Sequence, residues 1–203
     1  MIENGDTYTT IAAESRGVYR EKASKFIAVA MPVADEEQVK MKLEVLRKEF
    51  YDANHHCYAY RFGNENKRFR FNDDGEPSGS AGRPIYGQIL SKDVSDLLVV
   101  VIRYFGGTKL GIPGLIHAYK TAAREALDKA TLLPRTITTT IEIRFGFIMM
   151  NDVMRILKDE GLKIIKQSFD DRCTIFVAVA RSRADKVTVR LNHLSDISTF
   201  KHT

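Results

Sequence analysis

Residues 73–84 read DDGEPSGSAGRP, a stretch that crowds three carboxylates, Asp73, Asp74 and Glu76, among Gly75, Ser78, Gly79, Ser80 and Gly82 and ends in Arg83-Pro84. Two further stretches hold reactive types. HHCYAYR (55–61) sets His55, His56 and Cys57 in a row, and RYFGGTKLGIPG (103–114) places Arg103, Gly106, Gly107, Lys109 and Gly111 before a helix-like run. Such types can bind a metal, activate a nucleophile, cradle an anion or hold a partner on a rigid loop. Spacing discriminates among the four.

A metal fits poorly. Neighbouring strand residues point to opposite faces, so His55 and Cys57 share a face that His56 does not, and no second Cys/His cluster completes a tetrahedral site. Asp73, Asp74 and Glu76 lack the alternating ligand spacing of a calcium loop. Neither a metal nor a cofactor is therefore expected. SGSAG (78–82) departs from the G-x-S-x-G elbow only at its first position, and Ser80, His56 and Asp74 supply the types of a Ser-His-acid set. An elbow directly follows a buried strand and opens a helix, whereas here a polar loop precedes Ser80 and Arg83-Pro84 follows it. Small residues for a tight backbone path explain the segment better, and no residue receives a catalytic role.

The third stretch has the makings of an anion cradle. Four glycines and Lys109 lie between a strand and a helix N-terminus, where free N–H groups and the helix dipole favour phosphate or carboxylate. Its spacing matches neither a P-loop nor a dinucleotide fingerprint, and a tight crossover accounts for the glycines equally well. The expected binding set for an anion or a partner is Arg83, Arg103, Gly106, Gly107, Lys109 and Gly111. Asp73, Asp74, Gly75, Glu76, Ser78, Ser80 and His56 would shape or orient it, with the carboxylates either aligning the cations or repelling phosphate. A cleft formed by 55–61, 73–84 and 103–111 also holds enough acid, base and cation for a hydrolase, so the residues alone leave binding and catalysis both open.

These loops need elements to position them. DLLVVVIRYF (96–105) is a nearly continuous apolar run, as expected of a central strand buried on both faces. VYREKASKFIAVAMPV (18–33) reads as a strand with a turn or bulge around Lys22–Lys25. ADEEQVKMKLEVLRKEF (34–50) reads as a helix: Asp35 and Gln38 have capping-box spacing, and Val39, Leu43, Leu46 and Phe50 make one buried stripe. HHCYAYRF and RFRF (68–71) form an expected hairpin around NENK (64–67), IYGQILSKDV (85–94) a short helix, and LIHAYKTAAREALDKA (115–130) a longer one. After Leu133-Pro134 the pattern is strand (135–145), helix (150–160), strands (162–168 and 173–180), helix (183–192) and strand (197–201). That βαββαβ order is the ferredoxin-like split unit, so the fold class is α+β with a domain boundary near 131–135.

The net charge of +5 is unevenly spread: residues 1–130 carry 19 Lys and Arg against 18 Asp and Glu, residues 131–203 carry 12 against 8. The basic excess of the last third is a mild pointer to an anionic partner. No apolar run reaches the ~18–20 residues of a membrane span, and the polar first residues lack the order of a signal peptide. Cys57 and Cys173 give no disulfide framework. A cytoplasmic protein with no membrane partner and no DNA sequence specificity is expected.

HHCYAYR, DDGEPSGSAGRP and VVVIRYFGGTKLG leading to GLIHAY (114–119), in that order, closely resemble the IMPACT family and its bacterial YigZ-like members. The match runs from about residue 16 to 130, and the final βαββαβ unit resembles the bacterial family's second domain. Two departures stand out: Pro113 where the family usually has glycine, and Thr108-Lys109 in place of an apolar pair. The resemblance implies an IMPACT-type domain over 1–132 with the ribosomal-protein-S5-domain-2-like βαβ fold, shared with domain IV of elongation factor G. It implies a ferredoxin-like domain over 136–203 resembling domain V of that factor. Eukaryotic relatives restrain a starvation-sensing translation-initiation kinase by competing for its ribosome-associated activator. The function implied is therefore translation-associated binding or regulation, with the ribosome, RNA or a translation-related protein as partner.

Overall fold

The computed structural model describes residues 6–63 and 68–202, which form β1 (Thr7–Ile11), β2 (Ser15–Glu21), β3 (Ser24–Pro32), α1 (Glu36–Glu49), β4 (His55–Phe62), β5 (Arg68–Asn72), α2 (Gly82–Ser91), β6 (Leu97–Tyr104), α3 (Gly111–Asp128), β7 (Leu132–Thr136), β8 (Thr138–Phe145), α4 (Met150–Asp159), β9 (Lys163–Phe169), β10 (Cys173–Ala180), α5 (Ala184–Asn192) and β11 (Ile197–His202). The architecture is α+β. It divides into two compact units: Tyr8–Arg135, and residues 136–202 with Asp6 and Thr7. Among the described residues no helix is long and apolar enough to cross a membrane.

The first unit is built on a five-stranded antiparallel sheet ordered β2-β3-β6-β4-β5. The apolar run of β6 occupies its centre, buried on both faces as its composition requires. Leu98, Val100 and Ile102 pack under α1 through Val39, Leu43 and Leu46, while Val99 and Val101 pack under α2 and α3. Each such side chain contributes roughly 1.5–3 kcal/mol by leaving water. Asp35 caps α1 by accepting from Gln38 N at 2.8 Å, and Gln38 reaches back to Ala34 N at 3.1 Å, one residue before the usual box partner. The strand with a turn expected over 18–33 is a full hairpin, β2–β3, whose turn residues Lys22 and Ala23 have φ of 44° and 64°. Positive φ at both centres matches the twist of the flanking strands. The NENK turn lies outside the described residues.

In the second unit the order β8-α4-β9-β10-α5-β11 builds an antiparallel sheet ordered β11-β8-β10-β9. Ile141, Ile143, Phe145, Ile175, Val177 and Val179 face α4 and α5 and form its core. Asp6 is buried in this unit: its carbonyl accepts from Ile137 N at 2.6 Å, and its carboxylate accepts from Ser182 N at 2.8 Å and from the Ser182 hydroxyl. The single strand expected over 135–145 is two strands that part at Ile137, because β7 pairs with β1 while β8 joins the second sheet.

Candidate functional site

Strand register assembles the site. Arg103, near the end of β6, stands directly opposite Phe26 of β3 and His55 of β4, and two pairs deeper, on the same face, Val101 stands opposite Cys57. Arg103 is only 6% exposed. Its guanidinium lies 5.5 Å from the Phe26 ring centre and 5.4 Å from that of Phe105. Nη1 donates to Glu76 Oε1 at 2.6 Å, and the same oxygen accepts from the Tyr119 hydroxyl at 2.8 Å. His55 Nε2 faces it at 3.9 Å. Opposite charges taken out of water need such a bonded setting to offset their desolvation. Arg103 Nε has no hydrogen-bond partner. Burial raises the pKa of the Tyr119 phenol and pushes the Cys57 thiol up, so Cys57, which donates to the Asp73 carbonyl at 3.0 Å, stays protonated and inert.

The acidic loop is self-bonded. Asp73 accepts from Gly79 N at 2.9 Å, Ala81 N at 3.0 Å and Gly82 N at 2.8 Å, folding the loop back and capping α2, whose own N-cap Ala81 has no side chain to do so. Asp74 (φ 43°) accepts from His56 N at 2.7 Å, and its carbonyl meets His55 Nδ1 at 2.7 Å. A carbonyl only accepts, so Nδ1 carries the proton. Gly75 follows at φ 87°, a conformation that other residues resist. Ser80, fully buried, donates to the Pro77 carbonyl at 2.6 Å.

The crossover from β6 to α3 lines the same cavity as this loop and passes close to the β2–β3 turn. Gly106 is needed for approach: a Cβ there would lie 2.1 Å from the Ala23 carbonyl carbon. Gly107 and Gly111 have φ of 85° and 71°. The 18-residue helix α3 starts at Gly111 without a side-chain cap, and Pro113 sits in its first turn, where the missing N–H breaks no helical bond. Between the loops lies a cavity of about 450 Å³. Asn54, His55, Glu76, Arg103 and Lys109 line it, with Pro77, Phe105, Leu110, Ile112 and Leu115 as apolar walls.

The acidic loop and the glycine crossover thus share one cavity, where Glu76, Arg103, Lys109 and Gly111 meet. Arg83 does not join them: it is exposed on the first turn of α2. Asp73, Asp74, Gly75 and Ser80 shape the loop from behind. His56 is buried on the opposite face of β4, where desolvation lowers its pKa. Its neighbour His55 is the histidine in the cavity. Strand parity carries that signal, since the residue across from Arg103 must share its face. Tyr119 could have been found as the i+4 partner of Leu115 on the buried stripe of α3. Among the described residues no three His, Cys, Asp or Glu side chains gather as metal ligands.

Comparison with known proteins gives consistent matches. The family model described as the Impact N-terminal domain matches residues 22–127. IMPACT family member YigZ of Escherichia coli (strain K12) is 30% identical over 176 residues, covering 86% of each chain. IMPACT family member YvyE of Bacillus subtilis (strain 168) is 31% identical over 152 residues, 75% of this chain and 70% of the relative. A Protein IMPACT homolog of Saccharomyces cerevisiae is 33% identical over 113 residues, 54% of this chain and 43% of its own. A crystal structure of a hypothetical protein superposes with a TM-score of 0.74 at 28% identity, covering 96% of this chain and 97% of that one.

Proposed function

The chain belongs to the IMPACT family, and from that premise we propose that it is a translation-associated binding protein whose first unit seats an acidic group of a protein partner in the cavity beside Arg103. In this reading residues 1–132 are the IMPACT-type domain and 136–203 a ferredoxin-like domain. The observation that carries it is a cavity wall on which Lys109 stands beside the more than nine-tenths buried Arg103. Glu76 balances its charge, which leaves Lys109, without an ion-pair partner among the described residues, and the uncapped start of α3 as the attraction for an anion. The apolar walls suit a side chain or chain end better than a sugar–phosphate backbone. A binding site suits this lining better than a hydrolase that attacks with a side-chain hydroxyl or thiol, since Ser80 is buried and bonded and, among the described residues, no Ser, Thr or Cys lines the cavity.

Co-sedimentation of the full chain with ribosomes tests the reading. Wild type is expected to pellet with ribosomes at low salt, and Lys109→Glu to bind about tenfold more weakly or worse, since a reversed charge faces the acidic group. Wild type that stays in the supernatant, or a Lys109→Glu variant that pellets equally well, overturns it.

A further inference from the structure

We propose that the open face of the second unit's sheet is a binding surface for single-stranded RNA, with bases stacked on Phe176 and Phe200. This deepens the translation-linked reading but uses a surface separate from the cavity.

The register of the four strands fixes what that face displays. Phe200 of β11, Glu142 of β8, Phe176 of β10 and Lys166 of β9 stand in one row. His202, Thr140, Ala178 and Lys163 form the row on one side, and Ser198, Arg144, Thr174 and Ser168 the row on the other. Helices cover the opposite face, and β10 alternates fully buried and half-buried residues accordingly. Phe200 is 46% exposed. Arg144 holds its guanidinium 5.0 Å from the Phe200 ring centre, and the His202 ring lies 6.1 Å from that of Phe176.

Apolar aromatic rings on a sheet face are costly unless something covers them, and here cations surround them. The carboxylate in the middle row is already occupied: Glu142 accepts from Arg144 Nε at 2.5 Å and from His202 Nε2 at 2.8 Å. It therefore orients those two groups instead of repelling a phosphate. Lys163 and Lys166 stand exposed on the edge strand β9, placed to follow a backbone that crosses the sheet. Stacking rings bordered by cations is the composition of a single-strand surface, since every base offers a π-face and every linkage a charge. The hydroxyls of Thr140, Thr174 and Ser198 add partners for a ribose 2′-hydroxyl, which favours RNA over DNA.

Fluorescence anisotropy of the full chain with a labelled single-stranded RNA of about ten nucleotides tests this, alongside the same sequence as single-stranded DNA and as duplex RNA. The RNA strand is expected to bind best. Phe176→Leu and Phe200→Leu, which keep an apolar side chain without a ring, are each expected to weaken binding about tenfold. Lys163→Gln with Lys166→Gln should reduce the logarithmic salt slope by about 1.4, at about 0.7 per phosphate contact. Absence of binding at low salt, unchanged affinity in both Leu variants, or equal or better binding of the DNA strand or duplex overturns the proposal. Should Phe176→Leu fail to fold, Phe200→Leu at its half-exposed site decides alone. RNA binding that survives while ribosome pelleting fails would sink the cavity reading and leave this one standing.

Discussion

Two arginines on two sheets are built from the same parts and end up different. Arg103 pairs with Glu76, faces His55 and lies between Phe26 and Phe105. Arg144 pairs with Glu142, shares that carboxylate with His202 and lies over Phe200. The first set is roofed by two loops and becomes a cavity wall with a fixed charge pair. The second sits on an uncovered sheet and becomes a platform. Depth makes the difference: electrostatic interactions strengthen as water is excluded, and so does the cost of leaving a charge unpaired.

The strongest way to break that comparison is to remove each glutamate. Glu76→Ala leaves Arg103 buried without its partner and is expected to destabilise the first unit by about 3–5 kcal/mol. Glu142→Ala releases Arg144 and His202, whose side chains are about half exposed, and should cost about 1 kcal/mol or less. Denaturant unfolding measures both. The tyrosines all lie at or before Tyr119, so near-ultraviolet tyrosine dichroism reports on the first unit and far-ultraviolet dichroism on the whole chain. Equal losses from the two substitutions would erase the distinction.

Asp73→Ala should come next in size. It removes the acceptor of three backbone N–H groups, among them those at the start of α2, and is expected to lower stability by about 1–2 kcal/mol while loosening the cavity's loop wall. Hydrogen exchange at Gly79, Ala81 and Gly82 would register the change directly, and unaltered protection there would show that the loop holds its shape without the aspartate.

Acid gives the smallest and finest separation. Burial holds His56 below its ordinary value of 6.5, so its unfolded state gains a proton first; the first unit keeps full stability above that value and loses some as pH falls through it. Glu142 and Glu160 are held below the ordinary 4.5, Glu142 chiefly by the His202 bond and Glu160 chiefly by Arg190. Their contribution is present above 4.5 and disappears only as pH falls further. The near-ultraviolet tyrosine signal should therefore begin to weaken at higher pH than the far-ultraviolet signal of the whole chain, and His56→Phe should delay it.

Much of this molecule was legible before its coordinates. The stripe of Val39, Leu43 and Leu46 with its Asp35 cap and the valine run of β6 are local patterns, and each became the element it implied, although Phe50 at the end of the expected stripe is the C-cap and no longer helical. Three ordered loop motifs sufficed to indicate the family. The site was only partly legible. Arg83 and His56 belong to the right motifs but point elsewhere, and His55, Phe26 and Tyr119, drawn from three elements, complete the setting of Arg103. Nothing in the chain order announces that β1 pairs with β7, or that Phe176 and Phe200 share a row.

Sequence alone determined the periodicities, the turns, the caps and the set of reactive side chains, because those depend on residues within a few positions of one another. Tertiary structure decided which side chains meet. Register and burial depth are agreed between distant strands, and they turned one Arg–Glu–His–Phe set into the wall of a recessed cavity and the other into an open face.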